Sequence, residues 1–499
     1  MENLFNKQQR RQLELIKFLY QNQEWLSFKQ IQKVIDCSSP IIKEDLNHFN
    51  NKFSEFLKIH ITSNGALACF EPNISFEHLF AHYMSEATPF RLLEYIFYYP
   101  RQTIEELAEV LYTSSSTIYR MIQTIKSELE KNYAISITTN PVTLIGNEVK
   151  IRNFYAEFFN FSALVTEWPF FHLERNIINQ FISVPMNLIN SQYSFAQKRQ
   201  IAILVTVNIT RIQQGNFVSD KLIFPDRHHL YQALIKNKHF AKTLADYEER
   251  FDLTLDERTI MQIFYNYLHV GVALSYEELQ NEERFANSYQ SLQKLTQDLS
   301  KDFDLTLEQS DLLILSLHNA ARMQGYTLGY YPLLIDMKSR FKNSAAAIYP
   351  IFFKQVEQYL VRYLEVSGIE PQKRLINYLV YVLYTHWPSL FNNFIQKTSK
   401  PKLLILSKYD FFHEHLIRDI IEVHFGNMVQ IVSYKSKELN HNDLENVDAD
   451  IIITNFTVDK IKNKKVICYH NFPSLTVMEN IQKAILQYRY NIYNDLDLF

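Results

Sequence analysis

TIEELAEVLYTSSSTIYRMIQTI, from Thr103 to Ile125, decides how this 499-residue chain is read. Thr103 is placed to cap a helix, and Glu106, three residues on, completes a capping box. Ile104, Leu107, Ala108 and Leu111 then share one face at helical spacing. The run Thr113-Ser114-Ser115-Ser116 breaks the period, because its hydroxyls compete for backbone hydrogen bonds. A second helix is predicted to start near Ser115 or Ser116 and to bury Ile118, Met121, Ile122, Ile125 and Leu129. Ala108 is small where two helices must cross, and Ile118 follows ten positions later. This is the spacing of a helix-turn-helix, which lays its second helix in the DNA major groove.

An ordinary αα-hairpin would account for the pair in isolation; its neighbours favour the first reading. Ile135 to Glu148, ISITTNPVTLIGNE, alternates β-branched residues around Asn140-Pro141 and reads as a hairpin, or wing. Phe90 to Tyr99 is another amphipathic helix, ending at Pro100. The order is that of a winged helix-turn-helix, and an earlier stretch repeats it. Lys7 to Asn22 is an amphipathic helix, Ser27 caps a second from Phe28 to Ile35, and Pro40 suits the first turn of a third. LKIHITSNGALACF, Leu57 to Phe70, then alternates around Ser63-Asn64-Gly65 as a hairpin. Gln32 replaces the small crossing residue in this first unit.

Composition bounds the alternatives. The chain is 47% hydrophobic and 21% charged, as expected of a soluble protein of several domains. Only 8 Gly and 14 Pro interrupt it, so helix should dominate. Cys37, Cys69 and Cys468 are scattered without metal-ligand spacing, which predicts a reducing compartment, no structural zinc and no cofactor. No signal-like segment and no run of membrane-spanning length is visible, so a cytoplasmic protein is expected. The net charge of −3 gives little electrostatic footprint for nucleic acid. DNA affinity must then come from local cations such as Arg120, Lys126 and Lys43, doubled by dimerisation.

Beyond the second wing the chain is helical for some 250 residues. NITRIQQG (Asn208 to Gly215) echoes NAARMQG (Asn319 to Gly325), with Arg211 and Arg322 111 residues apart, as two similar helical domains would place them. Near Ser399-Lys400-Pro401 the pattern changes. KLLILS (Lys402 to Ser407), MVQIVSY, DIIITNF and KKVICYH read as strands. FFHEHLIRDIIEVHFG (Phe411 to Gly426), closed by its Gly, and a last helix from Ser474 alternate with them, as in a small parallel α/β domain.

The order of these parts resembles the Mga family, virulence regulators of Gram-positive bacteria that contain sugar-phosphotransferase regulation domains. The resemblance spans the chain and is carried by Thr103–Ile125, LIGNEVKIRNFY (Leu144 to Tyr155), NITRIQQG and NAARMQG. It implies a mainly α multidomain protein: winged helix-turn-helix units at 1–85 and 86–150, helical-bundle regulation domains at 151–285 and 286–398, and an enzyme IIB-like α/β domain at 399–499. It further implies that the second winged unit dominates DNA binding, that the helical domains sense phosphorylation, and that the tail serves dimerisation. Where that family's pattern expects a phosphorylatable His, this chain has Leu204 and Leu315. His318 and His269 are the substitute candidates, with a packed or solvated histidine as the alternative for each. An active enzyme IIB has a nucleophilic Cys after its first strand; here that loop is Ser407-Lys408-Tyr409-Asp410, and Cys468 is expected to be an inert buried thiol.

The expected function is a DNA-binding transcription regulator, an activator of virulence or carbohydrate-metabolism genes, modulated by a phosphocarrier protein and by homodimerisation, without enzymatic activity. Two alternatives stay open: an RNA-binding antiterminator with the same regulation domains, and a phosphotransferase enzyme with the tail as catalyst. Expected contacts with double-stranded DNA are Ser115, Ser116, Thr117, Tyr119, Arg120, Gln123 and Lys126, with Ser39, Lys43 and Asn47 in the first unit. Ser and Thr suit phosphates, while Arg and Gln read base edges. The adjacent pair His228-His229 is expected at the surface. Tyr488, Tyr490 and Tyr493 are expected at a partner interface.

Overall fold

The computed structural model describes all residues except 189–193, 223–226, 324–332, 334, 335, 389, 391, 394–399, 435–437 and 496–499; of 188, 347, 348, 441 and 489–495 it describes the backbone alone. Two compact units divide the chain, Met1–Ser275 with Ala321–Met337, and Tyr276–Ala320 with Lys338–Phe499. Gln324 and Gly325 of the second echo lie outside the described residues. No described helix is long and apolar enough to cross a membrane.

The first unit opens with α1 (Lys7–Gln21), β1 (Leu26–Ser27), α2 (Phe28–Val34), α3 (Ser39–Lys52) and the hairpin β2 (Leu57–Ile61) and β3 (Gly65–Phe70). Ser27 caps α2 in a full capping box with Gln30. β3 pairs antiparallel with both β1 and β2, and Ser27 lies opposite Gly65. A Cβ at Gly65 would run into the Leu26 carbonyl oxygen, so β1 approaches this closely only because residue 65 has no side chain. Next come α4 (Phe76–Glu86) and α5 (Thr88–Tyr98), then α6 (Ile104–Val110), α7 (Ser115–Tyr133) and the short wing strands β4 (Ile135–Ile137) and β5 (Leu144–Gly146). The helical domain that follows contains α8 (Glu148–Ser162), α9 (Arg175–Leu188), α10 (Phe195–Gln213), α11 (His228–Lys236), α12 (Lys238–Phe251), α13 (Glu257–Ile263) and α14 (Tyr265–Leu268). α10 is buried almost all round, from Ile201 to Ile212. It is the central post of this domain, which explains why its sequence is an apolar run without an amphipathic period.

One hydrophobic core runs from the first helices through α5 and α7 into α8 and α10. Phe97, Leu129, Phe154, Phe158, Ile203 and Val207 all belong to it. The winged units and the start of the helical domain are therefore packed as one body.

The second unit contains α15 (Tyr276–Asn281), α16 (Ala286–Asp302), α17 (Ser310–Arg322), α18 (Met337–Ile348), α19 (Pro350–Val366) and α20 (Lys373–His386). An α/β domain completes it: β6 (Lys402–Leu406), α21 (Phe411–Phe425), β7 (Gln430–Val432), α22 (His441–Asn446), β8 (Ile451–Thr454), β9 (Lys465–Cys468) and α23 (Leu475–Asp495). Its sheet is wholly parallel, in the order β7-β6-β8-β9. Ile417 and Ile421 of α21 and Ile481 and Ile485 of α23 cover one face.

Several expectations are corrected here. Cys468 is exposed, because β9 is the sheet edge and its side chains alternate outward at that position. Leu416, which apolar spacing groups with Ile417, Ile420 and Ile421 on the sheet-covering face of this helix, is 49% exposed and so lies off the buried face of α21. Gly426 ends α21 with φ of −53°, so its closing role uses no left-handed backbone. Ile104 and Met121 are only half-buried. Tyr488 is half-buried, and the side chains of Tyr490 and Tyr493 lie outside the described residues.

Candidate nucleic-acid interface

α7 is anchored by a buried stripe and open along the opposite one. Ile118, Ile122, Ile125 and Leu129 are fully buried at helical spacing. Ser114 caps the helix by accepting from the Thr117 backbone N–H at 3.2 Å, and its hydroxyl lies 3.0 Å from Ser116 Oγ and 2.8 Å from Thr117 Oγ1. Ser115, Ser116, Tyr119, Arg120, Gln123 and Thr124 are exposed, while Thr117 and Lys126 are half-buried. The Arg120 guanidinium donates to the Ser116 carbonyl at 3.4 Å, which lays it along the first turn beside the hydroxyls. Lys126 is 4.0 Å from Glu130, a loose surface pair that leaves the ammonium available.

α6 supports this helix. Glu106 accepts from the Thr103 backbone N–H at 2.8 Å and from its hydroxyl at 3.0 Å, and these bonds hold the Glu106 carboxyl below its ordinary pKa. The turn to α7 passes through Tyr112, which has φ of +53° and a 92% exposed side chain. The wing is tied back to the start of α6, because the Val142 N–H donates to the Gln102 carbonyl at 2.7 Å.

The two winged units superimpose in sequence register. Ser27 and Thr103 cap the first helices, Ser38 and Ser114 occupy the N-cap of the second, and Ile42 matches Ile118, each fully buried. Their outer faces differ. At the place of Arg120 the first unit has exposed Glu44. Lys43 is half-buried with its ammonium 5.0 Å from the Phe28 ring centroid; Ser39 is half-buried and Asn47 exposed.

The NITRIQQG stretch that closes α10 has a structural task. Arg211 donates to both Glu148 carboxylate oxygens, at 2.9 and 2.7 Å, and Glu148 also accepts from Arg152 at 3.1 Å. Arg152 donates onward to the carbonyls of Gln262 at 2.9 Å and Asn216 at 2.8 Å. Burial lowers the Arg152 pKa; for Arg211 burial is again the largest single influence, but the hydrogen bonds and negative charge of Glu148 together overcome it and raise the pKa. Asn208 donates to the Ile263 carbonyl at 2.7 Å, and Gln214 reaches the Phe97 carbonyl of α5 at 2.7 Å. The motif thus bonds the helical domain to the winged unit that carries α7.

The two histidine candidates are enclosed. His318 Nδ1 is 2.8 Å from Ser288 Oγ, which in turn lies 3.1 Å from the Tyr363 hydroxyl. Its imidazole is fully buried against the Phe285 ring at 4.8 Å. His269 Nδ1 accepts from the Gly271 N–H at 3.0 Å. Burial, and then the charge of Arg322, lower the His269 pKa. His228 and His229 are both exposed.

At the carboxyl edge of the parallel sheet, Ser407 Oγ is 2.9 Å from His413 Nδ1 and accepts from the Tyr409 N–H at 3.1 Å and Asn455 Nδ2 at 3.4 Å. His413 Nε2 is 2.8 Å from the Asn471 carbonyl, so it donates there, and Nδ1 accepts from Ser407. These groups satisfy one another across the crevice where an open α/β sheet binds ligands.

Tandem winged helix-turn-helix units, one with a capped and solvent-open reading helix, define a DNA-binding transcription regulator. Residues 6–65 match the M protein trans-acting positive regulator (MGA) HTH domain, 72–159 the Mga helix-turn-helix domain, and 174–390 the MGA PRD domain. The chain belongs to the Mga family. It is similar along its length to a protein of Streptococcus pneumoniae serotype 4 that carries the name of a trans-acting regulator, at 26% identity over 96% of this chain and 97% of that one. It is 22% identical to the capsule synthesis positive regulator AcpB of Bacillus anthracis, over 95% and 97% of the two chains. With the anthrax toxin expression trans-acting positive regulator of the same organism it shares 19% identity over 96% and 98%.

Proposed function

We propose that this protein activates virulence-associated or carbohydrate-metabolism genes as a homodimer, with the α7 face as its main DNA contact. The exposed Ser115, Ser116, Tyr119, Arg120 and Gln123, with the half-buried Thr117 and Lys126, on a helix anchored by Ile118, Ile122 and Ile125 carry the reading. Ser39, Lys43 and Asn47 supply weaker contacts, since Glu44 stands where the second unit has Arg120. Footprinting on the organism's own genomic DNA tests it: protected sites should appear upstream of regulated genes, and equal retention of RNA and DNA at matched salt would favour antitermination instead.

The enzyme IIB-like domain acts in assembly. The satisfied Ser407–His413–Asn455 network supports this role over phosphotransfer. Truncation after Lys400 is expected to yield monomers by light scattering and to weaken operator binding, because two linked reading units gain effective concentration. A truncated protein that remains dimeric and binds as tightly would refute the assignment.

Regulation by a phosphocarrier protein of the sugar phosphotransferase system acts through His318, with His269 second. Both rings are buried, so phosphorylation requires local opening. A phosphate retained there would break the His318–Ser288–Tyr363 chain and force repacking of α16, α17 and α19. His318→Asp and His318→Ala should therefore differ in reporter output. Identical output from both, with and without the phosphotransferase system, would leave His318 a packing residue.

A further inference from the structure

We propose that Arg101 clamps a DNA phosphate at the root of the second wing, a contact additional to those of α7. The proposal rests on the reading of α6, α7 and the wing as the main DNA-binding unit. Arg101 follows Pro100 at the end of α5 and has φ of +65°, in the left-handed region that residues with a Cβ avoid. Glycine would occupy this corner without that cost. The guanidinium is exposed, and among the described residues no acidic or aromatic side chain holds it. By contrast, Arg152 and Arg211, deeper in the same unit, are both engaged by Glu148.

Placement supplies the ligand. Gln102, the next residue, bridges to Val142 of the wing, and Thr103 then caps α6. Arg101 therefore stands at the junction of the wing root and the start of α6. When a reading helix enters the major groove, the helix before it crosses the sugar–phosphate backbone. A cation at that helix's entrance meets phosphate oxygens, and a guanidinium fits them with two parallel hydrogen bonds. The first winged unit gives an internal contrast. In the same register, one residue before the strand that pairs with its wing, it has Trp25, 46% exposed and uncharged. The equivalent corner is thus basic only in the unit whose reading helix carries Arg120. In a protein of net charge −3, each cation so placed has a measurable share of the binding.

The test uses full-length Arg101→Gly and Arg101→Lys proteins on an operator fragment defined by footprinting. Arg101→Gly removes the charge and relieves the left-handed backbone, so its urea midpoint should equal or exceed that of the wild type. Its plot of log affinity against log salt should be shallower by about 0.9, the loss of one phosphate contact. Affinity near 0.15 M salt should fall about 3- to 10-fold, and equally on specific and non-specific duplexes. Arg101→Lys should restore most of the slope. An unchanged slope in Arg101→Gly would overturn the proposal, as would a loss confined to one operator sequence, which would mean base reading. If the wild type protects no fragment at all, the underlying DNA-binding reading of this unit falls with it, and the two failures are told apart.

Discussion

Glu148→Gln should destabilise the first unit by about 3–5 kcal/mol, the usual cost of removing one partner from a buried charge cluster. The side chains of Arg152, Arg211 and Glu148 are 0%, 4% and 12% exposed, so solvent does little to screen them. One carboxylate compensates two guanidiniums. An amide has a single accepting oxygen, and its NH2 would face donors that cannot accept. Arg152 keeps its carbonyl partners and Arg211 keeps Gln214 at 3.2 Å, but neither replaces a negative charge. Urea titration of Glu148→Gln, Arg211→Met and the double variant gives the coupling directly. A change below about 1 kcal/mol in Glu148→Gln would show that water or relaxation already satisfies the arginines. The same variant should lose DNA affinity beyond its loss of folded protein, because Glu148 begins the helix that follows the wing.

Arg120→Ala should cost about 1–3 kcal/mol of specific binding, roughly a 5- to 150-fold rise in Kd, if the guanidinium makes a bidentate base contact. Nothing in the fold opposes the substitution: the side chain is exposed and its one bond is a weak 3.4 Å contact to its own helix. Alanine is also a better helix former, so stability should not fall. Adding Ser116→Ala should lower affinity further through loss of a phosphate contact. Fluorescence anisotropy with operator and scrambled duplexes separates these effects, since the Arg120 loss should be largest on the operator. Equal affinity of the wild type and the double variant would remove α7 from the interface.

The elements that position the site were legible because their causes are local. The capping boxes at Ser27 and Thr103, the apolar spacing from Ile118 to Leu129 and the Asn64-Gly65 turn each act within a few residues. Much of what else matters depends on separation. Arg211 finds Glu148 from 63 residues away, and its motif looked like a domain echo rather than a bond between domains. The burial of His318 against Ser288 and Phe285 comes from tertiary packing, which one histidine in an apolar run does not encode. Cys468 was expected inside because a late apolar strand suggests a core; strand order put it on the edge. Arg101 is inconspicuous in the sequence for a different reason. A charged residue after a proline reads as a turn, and only its left-handed φ beside the wing gives it a direction. The start of α7 near Ser115, by contrast, is legible in the hydroxyl run that breaks the apolar period.

The shared core and the Gln214–Phe97 bond bear on how hybrid regulators should be built. A splice at the end of the second wing looks natural, since it falls between motifs. It would strand Phe154 and Phe158 without Phe90 and Leu129, and part Gln214 from the Phe97 carbonyl. A transplantable reading head should therefore extend through α10, to about Asn216, and bring its own buttress with it. Grafts joined earlier should be recovered as insoluble or protease-sensitive protein even when every reading-helix residue is intact.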